Sequence, residues 1–379
     1  MYFIGAVQFY ENNLISAGKN DTLTMEKALR ETAALESFLD NETAYKTGRK
    51  PLNPTIYDVS RLSGVSTATI SRAFSNPDLV RESTRRKVFE AAELLHYYPN
   101  AIARAMARQR TDKIAFLICK KRATILDEFY AGICEGSMRE TNKSDYQLVI
   151  STADDWAMAP STAQSKQIEG VILAGDAQAA MITEFQSQNI AVVLVNNRIP
   201  GLDLPCVVSD EFEGVRLALE HLLGRGHRRI AMVAGRVSPY IMGERYNAFM
   251  SVTRAHGVPV DAQYVKMCEP NVESALRAAT ELLDQRDRPT AVLGANDVIA
   301  VGVMKAARRL GLRVPEDVAV VGFDDSTICP MLEPELTSVH INCRRMGELC
   351  VERLRSLLTG EACPQLTVVP PELKIRGSV

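Results

Sequence analysis

The chain has 379 residues, 46% hydrophobic and 24% charged, with a formal net charge of −2. That composition is globular, and the length suggests two or three domains. Bulk charge points to neither nucleic acid nor an acidic partner, although a local excess can hide in the average. The eight cysteines form no Cys-x-x-Cys pair and no zinc-spaced cluster with histidine, so no metal or cofactor is expected. They read as reduced core residues of a cytoplasmic protein. MYFIGAVQFY lacks a basic leader and is too short to span a bilayer, so no membrane association is expected.

Residues 1–53 are polar and of mixed charge. They read as a disordered extension, or as a start codon assigned too early with Met25 as its rival. Residues 54–98 carry three short helical patterns. In the first, Thr55-Ile56-Tyr57-Asp58 is a capping-box variant, and Val59 and Leu62 share a face. Gly64 permits a sharp turn, and Ser66 is a natural N-cap for the second helix. Ile70 and Phe74 give that helix a buried side, which turns Thr67, Ala68, Ser71 and Arg72 elsewhere. A third pattern runs from Arg81 to Leu95 with Val88 and Ala92 in its apolar stripe.

Three such helices can bury one shared core and leave the second jutting out, which is the helix-turn-helix arrangement. From Pro54 to Arg110 there are nine Lys/Arg against five Asp/Glu, a local net of +4 that favours phosphate contact. The same pattern fits an ordinary helical hairpin with a solvated basic face. Residues 99–111 read as a small-residue helix with Met106 as the one large apolar side chain toward its end. Alone it is too weak to be stable, so it reads either as a plain linker or as a hinge that folds in a minor groove.

From Lys113 onward, apolar runs alternate with amphipathic stretches: Ile114–Ile118, Leu148–Ile150, Val171–Leu173, Ala191–Val195, Ile230–Val233, Ala291–Leu293 and Val318–Val321. This alternation predicts parallel sheets with right-handed crossovers. Polar residues follow several strands directly: Asn196, Asn296-Asp297 and Asp324-Asp325. Ligands of open α/β sheets sit at such strand ends. Asp297 and Asp325 read as helix N-caps. Lys120, Lys121 and Arg122 read as a solvated loop, with anion binding as the alternative. The helix Arg344 to Leu358 is assigned equally to lobe core and to a dimer surface.

Taken in order, IYDVSRLSGVSTATISRAFSN, YYPNAIARAM, GHRRIAMVAG, ANDVIAVG and VPEDVAVVGFDD resemble the lactose/galactose repressor (LacI/GalR) family of bacterial transcription regulators. The resemblance spans about residues 54 to 378. It implies an all-α helix-turn-helix headpiece (54–98), a hinge (99–111) and a periplasmic-binding-protein-like core (112–379) of two Rossmann-like α/β lobes. Those lobes would take in 112–208 with part of 340–379, and 209–339.

The resemblance also implies a homodimer on a pseudo-palindromic double-stranded operator, controlled by a small sugar-like effector. Thr67, Ala68 and Arg72 would read bases, with Thr55, Tyr57, Ser66, Ser71 and Asn76 beside them at the DNA. Asn100, Ala103 and Met106 would lie in the hinge at the minor groove. Arg245, Asn296, Asp324 and Asn196 would contact the effector. Arg81 departs from the family, where serine often caps the third helix.

No nucleophile elbow, P-loop or His-Glu-x-x-His is present, and Gly224-Arg225-Gly226 precedes a strand instead of following one. An enzyme is therefore not expected. The other readings are a sugar-binding α/β protein and a sugar-modifying enzyme with an N-terminal helical domain.

Overall fold

The computed structural model describes residues 54–75, 77–98, 111–119, 128–144, 146–152, 168–235, 239–258 and 260–379. The chain divides into two units, Met1–Arg110 and Thr111–Val379.

In the first unit, α1 (Ile56–Ser63), α2 (Thr67–Ser75) and α3 (Glu82–Leu94) surround one small core. Val59, Ile70, Ala73, Val80, Val88, Ala91 and Ala92 are its buried members. Asp58 starts α1 by accepting from the Thr55 backbone N–H at 2.9 Å and from its hydroxyl at 2.7 Å. Those bonds, with Arg61 nearby, outweigh burial and hold the Asp58 carboxyl below its ordinary range. Gly64 ends α1 at φ 65°, a left-handed conformation that glycine adopts without steric cost. Ser66 caps α2, its Oγ accepting from the Thr69 backbone N–H at 3.3 Å. Arg81 gives α3 no side-chain cap, as its chemistry predicts. Phe74 is half-buried and wedged between Phe89 and Tyr97, with ring centroids 5.2 and 6.0 Å away.

The second unit carries two six-stranded sheets. The first lobe contains β1 (Lys113–Cys119), α4 (Glu128–Thr141), β2 (Gln147–Thr152), β3 (Gly170–Gly175), α5 (Ala179–Ser187), β4 (Ala191–Val195) and β5 (Cys206–Ser209). The second contains α6 (Glu211–Gly224), β6 (Ile230–Gly235), α7 (Pro239–Ala255), β7 (Val265–Cys268), α8 (Val272–Leu283), β8 (Ala291–Gly294), α9 (Asp297–Arg309), β9 (Ala319–Asp324) and β10 (Thr337–His340). Then α10 (Cys343–Thr359) and β11 (Leu366–Val369) return to the first lobe, and β12 (Glu372–Lys374) ends in the second.

The strand orders are β11-β5-β4-β3-β1-β2 and β12-β10-β9-β8-β6-β7. Every pairing is parallel except β10 with β12. Strands covered on both faces read as unbroken apolar runs, and β3 and β6 are buried throughout. The chain passes between the lobes after β5, after β10 and after β11, so the ends of these strands lie beside the interlobe cleft.

α10 packs on α4 and on the first sheet, burying Met346, Leu349 and Leu354. It is therefore lobe core. Gly136 and Gly347 let the two helices meet backbone to backbone. A Cβ on Gly347 would collide with the Ile133 carbonyl, and one on Gly136 with the Arg344 carbonyl. Gly347→Ala is expected to destabilise the core by about 1–3 kcal/mol, because neither backbone can yield without parting the helices. Urea unfolding of the variant checks this, and an unchanged midpoint would show that the crossing adjusts freely.

Candidate functional sites

In the headpiece, α2 buries Ile70 and Ala73 and turns Ala68, Ser71 and Arg72 to solvent. Thr67 is half-exposed beside them, and Ser66, Thr55 and Tyr57 are exposed, Tyr57 by 70%. Ser66, Thr67, Ala68, Ser71 and Arg72 thus share α2 and the turn before it, while Thr55 and Tyr57 lie at the start of α1. Asn76, Asn100, Ala103 and Met106 lie outside the described residues. The face carries a guanidinium, hydroxyls and a methyl. Arginine can grip guanine O6 and N7 with two bonds, and the small side chains let the helix approach base edges.

The second site is the cleft between the lobes, about 760 Å³ in volume. Phe129 and Gly132 of α4 line one wall, Asp324 and Thr327 the other, with His340 and Cys343 beside the crossing strand. Glu128 bridges the lobes. Its carboxylate accepts from the Thr327 backbone N–H at 2.7 Å and from the Thr327 hydroxyl at 3.2 Å. Lys120, Lys121 and Arg122 lie outside the described residues.

Beneath Asp324 is a buried ionic cluster. Arg245 on α7 is 3% exposed, and its Nε donates to Glu211 Oε2 at 2.5 Å. One terminal nitrogen donates to the Ala295 carbonyl, the other to Asp324 Oδ1 at 3.2 Å. The Phe323 ring covers the guanidinium, 3.7 Å from its centroid, a cation–π contact. Burial disfavours the Arg245 charge, but Glu211 and Asp324 outweigh it and hold its pKa above the ordinary value. Asp324 is pushed up to about 8, by burial first and by its neighbours Asp297 and Glu211 next, against the pull of Arg245.

Asn296 is the N-cap of α9, its Oδ1 accepting from the Ile299 N–H at 2.9 Å. That corrects the expectation for Asp297, which is instead the first residue of the helix. Its buried carboxylate accepts from the Ser326 N–H and hydroxyl at 2.7 and 2.8 Å and from the Ser338 hydroxyl at 2.6 Å. Burial still pushes its pKa up. Asp325 caps no helix either. It joins His340 at 3.1 Å and Arg376 at 2.7 Å, and these partners hold its carboxyl low in spite of burial. Asn196 follows β4 at φ 55°, is 6% exposed, and leaves its Oδ1 without a hydrogen-bond partner.

Arg245 and Asp324 therefore meet directly, Asn296 stands beside them on the Ala295 strand end, and Asn196 belongs to the other lobe. Glu211 escaped the sequence reading. Its signal was a carboxylate just after the apolar run Cys206–Val208, a strand too short to stand out.

A model of the lacI family of bacterial regulatory proteins matches residues 55–100, and a periplasmic binding protein-like domain matches 219–379. The HTH-type transcriptional regulator DegA of Bacillus subtilis is 31% identical over 336 residues, spanning 86% of this chain and 98% of the relative. The chain belongs to the LacI family. Catabolite control protein A of Priestia megaterium is 29% identical over 334 residues, covering 86% of this chain and 99% of that protein. Among solved structures, a complex of the transcriptional regulator CelR with cellobiose matches at 30% identity and a TM-score of 0.66, covering 86% of this chain and all of that one. A lac repressor dimer on its operator matches at 24% identity and a TM-score of 0.76, which shows the shared fold.

This LacI-family chain is thus a DNA-binding transcriptional regulator, with a helix-turn-helix headpiece and a two-lobed binding core, and not an enzyme. No helix among the described residues is long and apolar enough to cross a membrane.

Proposed function

We propose that the protein is a homodimeric, cytoplasmic repressor whose grip on a pseudo-palindromic operator is controlled by a small hydroxyl-rich metabolite held in the interlobe cleft. The observation that carries the DNA half is α2: one face sinks Ile70 and Ala73 into the headpiece core while Arg72, Ala68 and Ser71 point outward. The effector half is supported by the convergence of Arg245 and Asp324 at strand ends beside the cleft, with Asn296 adjacent. Carboxylates and amides there accept from ligand hydroxyls. The sugar named in the CelR complex is one ligand of the kind intended. None of the eight cysteines is in a disulfide among the described residues, which suits a reducing compartment.

A ligand switches the protein by binding one arrangement of the lobes more tightly than the other, with a coupling of about 1–3 kcal/mol. The Glu128–Thr327 bridge is one contact that lobe opening would break. A gel shift with upstream DNA, repeated over a range of salt, tests the DNA half. Affinity is expected to fall steeply as salt rises, through counterion release. Arg72→Ala is expected to weaken operator binding by about 1–3 kcal/mol and to relax base preference at one position. An equal loss on random DNA would reduce Arg72 to a phosphate contact.

A further inference from the structure

We propose that this cleft takes a neutral or cationic ligand rich in hydrogen-bond donors and rejects carboxylates and phosphates, with Glu211 as the residue that sets the choice. The proposal rests on the cleft being the effector site.

A buried arginine with free donors is an anion receptor, because its planar fork matches a carboxylate or phosphate with two parallel bonds. Arg245 is the buried cation beneath this site, yet each of its three nitrogens already has an acceptor. Glu211 takes its Nε at 2.5 Å, Asp324 and the Ala295 carbonyl take its terminal nitrogens, and Phe323 covers its face. The Glu211 side chain is 2% exposed, so water does not screen this pairing. Glu211 is itself held in place by the Ser209 hydroxyl. An incoming anion would have to displace one of these carboxylates or share the guanidinium with both.

The charge of the surroundings points the same way. Glu211 already balances the guanidinium, and Asp324, pushed up to about 8 by burial and by its neighbours Asp297 and Glu211, leaves no surplus cation for an anion to use. Asp297 finds two hydroxyls, a backbone N–H and the Cys329 thiol for partners, none of them charged. Among the described residues that line the cleft, both arginines are matched: Arg344 with Glu135 at 2.9 Å, Arg345 with Glu348 and Glu352 at 3.0 Å. Arg376 holds Asp325 at 2.7 Å. In the first lobe, just after β4, Asn196 Oδ1 is a buried acceptor without a donor. A ligand O–H or N–H can satisfy it, whereas a carboxylate or phosphate oxygen cannot. The cluster thus offers no unpaired cation, which suits uncharged polyols, unmodified sugars and amino sugars.

The test uses the full-length protein and a panel built on shared skeletons. Aldoses, disaccharides and polyols form the neutral arm, their 2-amino forms the cationic arm, and their uronates and phosphate esters the anionic arm. Each is titrated by thermal shift at matched ionic strength. The wild type is expected to gain melting temperature in the neutral or cationic arm and none in the anionic arm. Inorganic phosphate should not stabilise it beyond an equal ionic strength of chloride.

Glu211→Gln frees Arg245 and is expected to gain stabilisation by inorganic phosphate. Glu211→Asn serves the same purpose if the glutamine variant does not fold. A uronate or phosphate ester that stabilises the wild type, and loses that effect in Arg245→Met, overturns the proposal while leaving the cleft as the effector site. Phosphate without effect on either Glu211 variant removes Glu211 as the selector. Silence in every arm sinks the hydroxyl-rich effector reading itself.

Discussion

Replacing Arg245 by alanine is expected to cost the core about 3–5 kcal/mol and to abolish the response to effector. The size follows from what is left behind. Glu211 and Asp324 lose their shared cation, the Ala295 carbonyl loses its donor and Phe323 loses its stacking partner. Breaking a buried ion pair from one side strands a charge that water cannot reach, and the penalty of that stranded group dominates. A lost surface pair would cost no more than about 1 kcal/mol, so the two cases separate cleanly. Removing Arg245 and Glu211 together, as Glu211→Leu with Arg245→Met, should recover much of the loss, because only Asp324 is then left without the cation and its carboxyl, already raised to about 8, can take up a proton. Thermal melts and urea unfolding of the single and double variants measure the difference. A single variant within 1 kcal/mol of wild type would mean that the cluster is wet and the network weak. The same experiment separates position from contact: if the double variant folds yet ignores every ligand, the cluster recognises effector as well as holding the cleft floor.

The parts legible in the sequence were those whose signal is local. Seven strands announced themselves as apolar runs, from Ile114–Ile118 to Val318–Val321, most of them because strands covered on both faces need no polar alternation; β2, at a sheet edge, is the exception. Five others did not. Cys206–Ser209, Val265–Cys268, Thr337–His340, Leu366–Val369 and Glu372–Lys374 span three or four residues each. Three of them, β7, β11 and β12, sit at sheet edges, and only pairing with distant strands makes them strands at all.

The cap of α9 failed for a different reason. Asn296 and Asp297 are adjacent and both are good caps, so composition could not tell which residue precedes the first turn. The outcome matters chemically, because it commits Asn296 Oδ1 to the helix and releases Asp297 to bind two serines. Arg245 was recognisable from its motif, but its condition was not. The partner that occupies it, Glu211, lies 34 residues earlier on another helix. Charge complementarity over that separation is a property of the folded cleft, and the sequence shows only that both residues exist.

Ile70→Ala is the second large effect, and it acts on the headpiece. Ile70 is fully buried in a core of seven residues shared by three short helices. Removing its side chain is expected to cost about 2–5 kcal/mol, the transfer loss plus the cavity. A single core of this size rarely supplies more than about 3–5 kcal/mol in all. The variant therefore removes most or all of the margin that keeps α2 formed. Operator and random-sequence binding should both vanish in a gel shift, and limited proteolysis should cut within residues 54–98. Arg72→Ala is the necessary contrast, since it leaves the core intact and weakens only the operator complex. The effector core, with its separate hydrophobic clusters, should keep its own thermal transition and its ligand response. Should Ile70→Ala still bind operator with wild-type affinity, the helix that carries Arg72 does not depend on this core, and the assignment of α2 as the DNA-reading element fails with it.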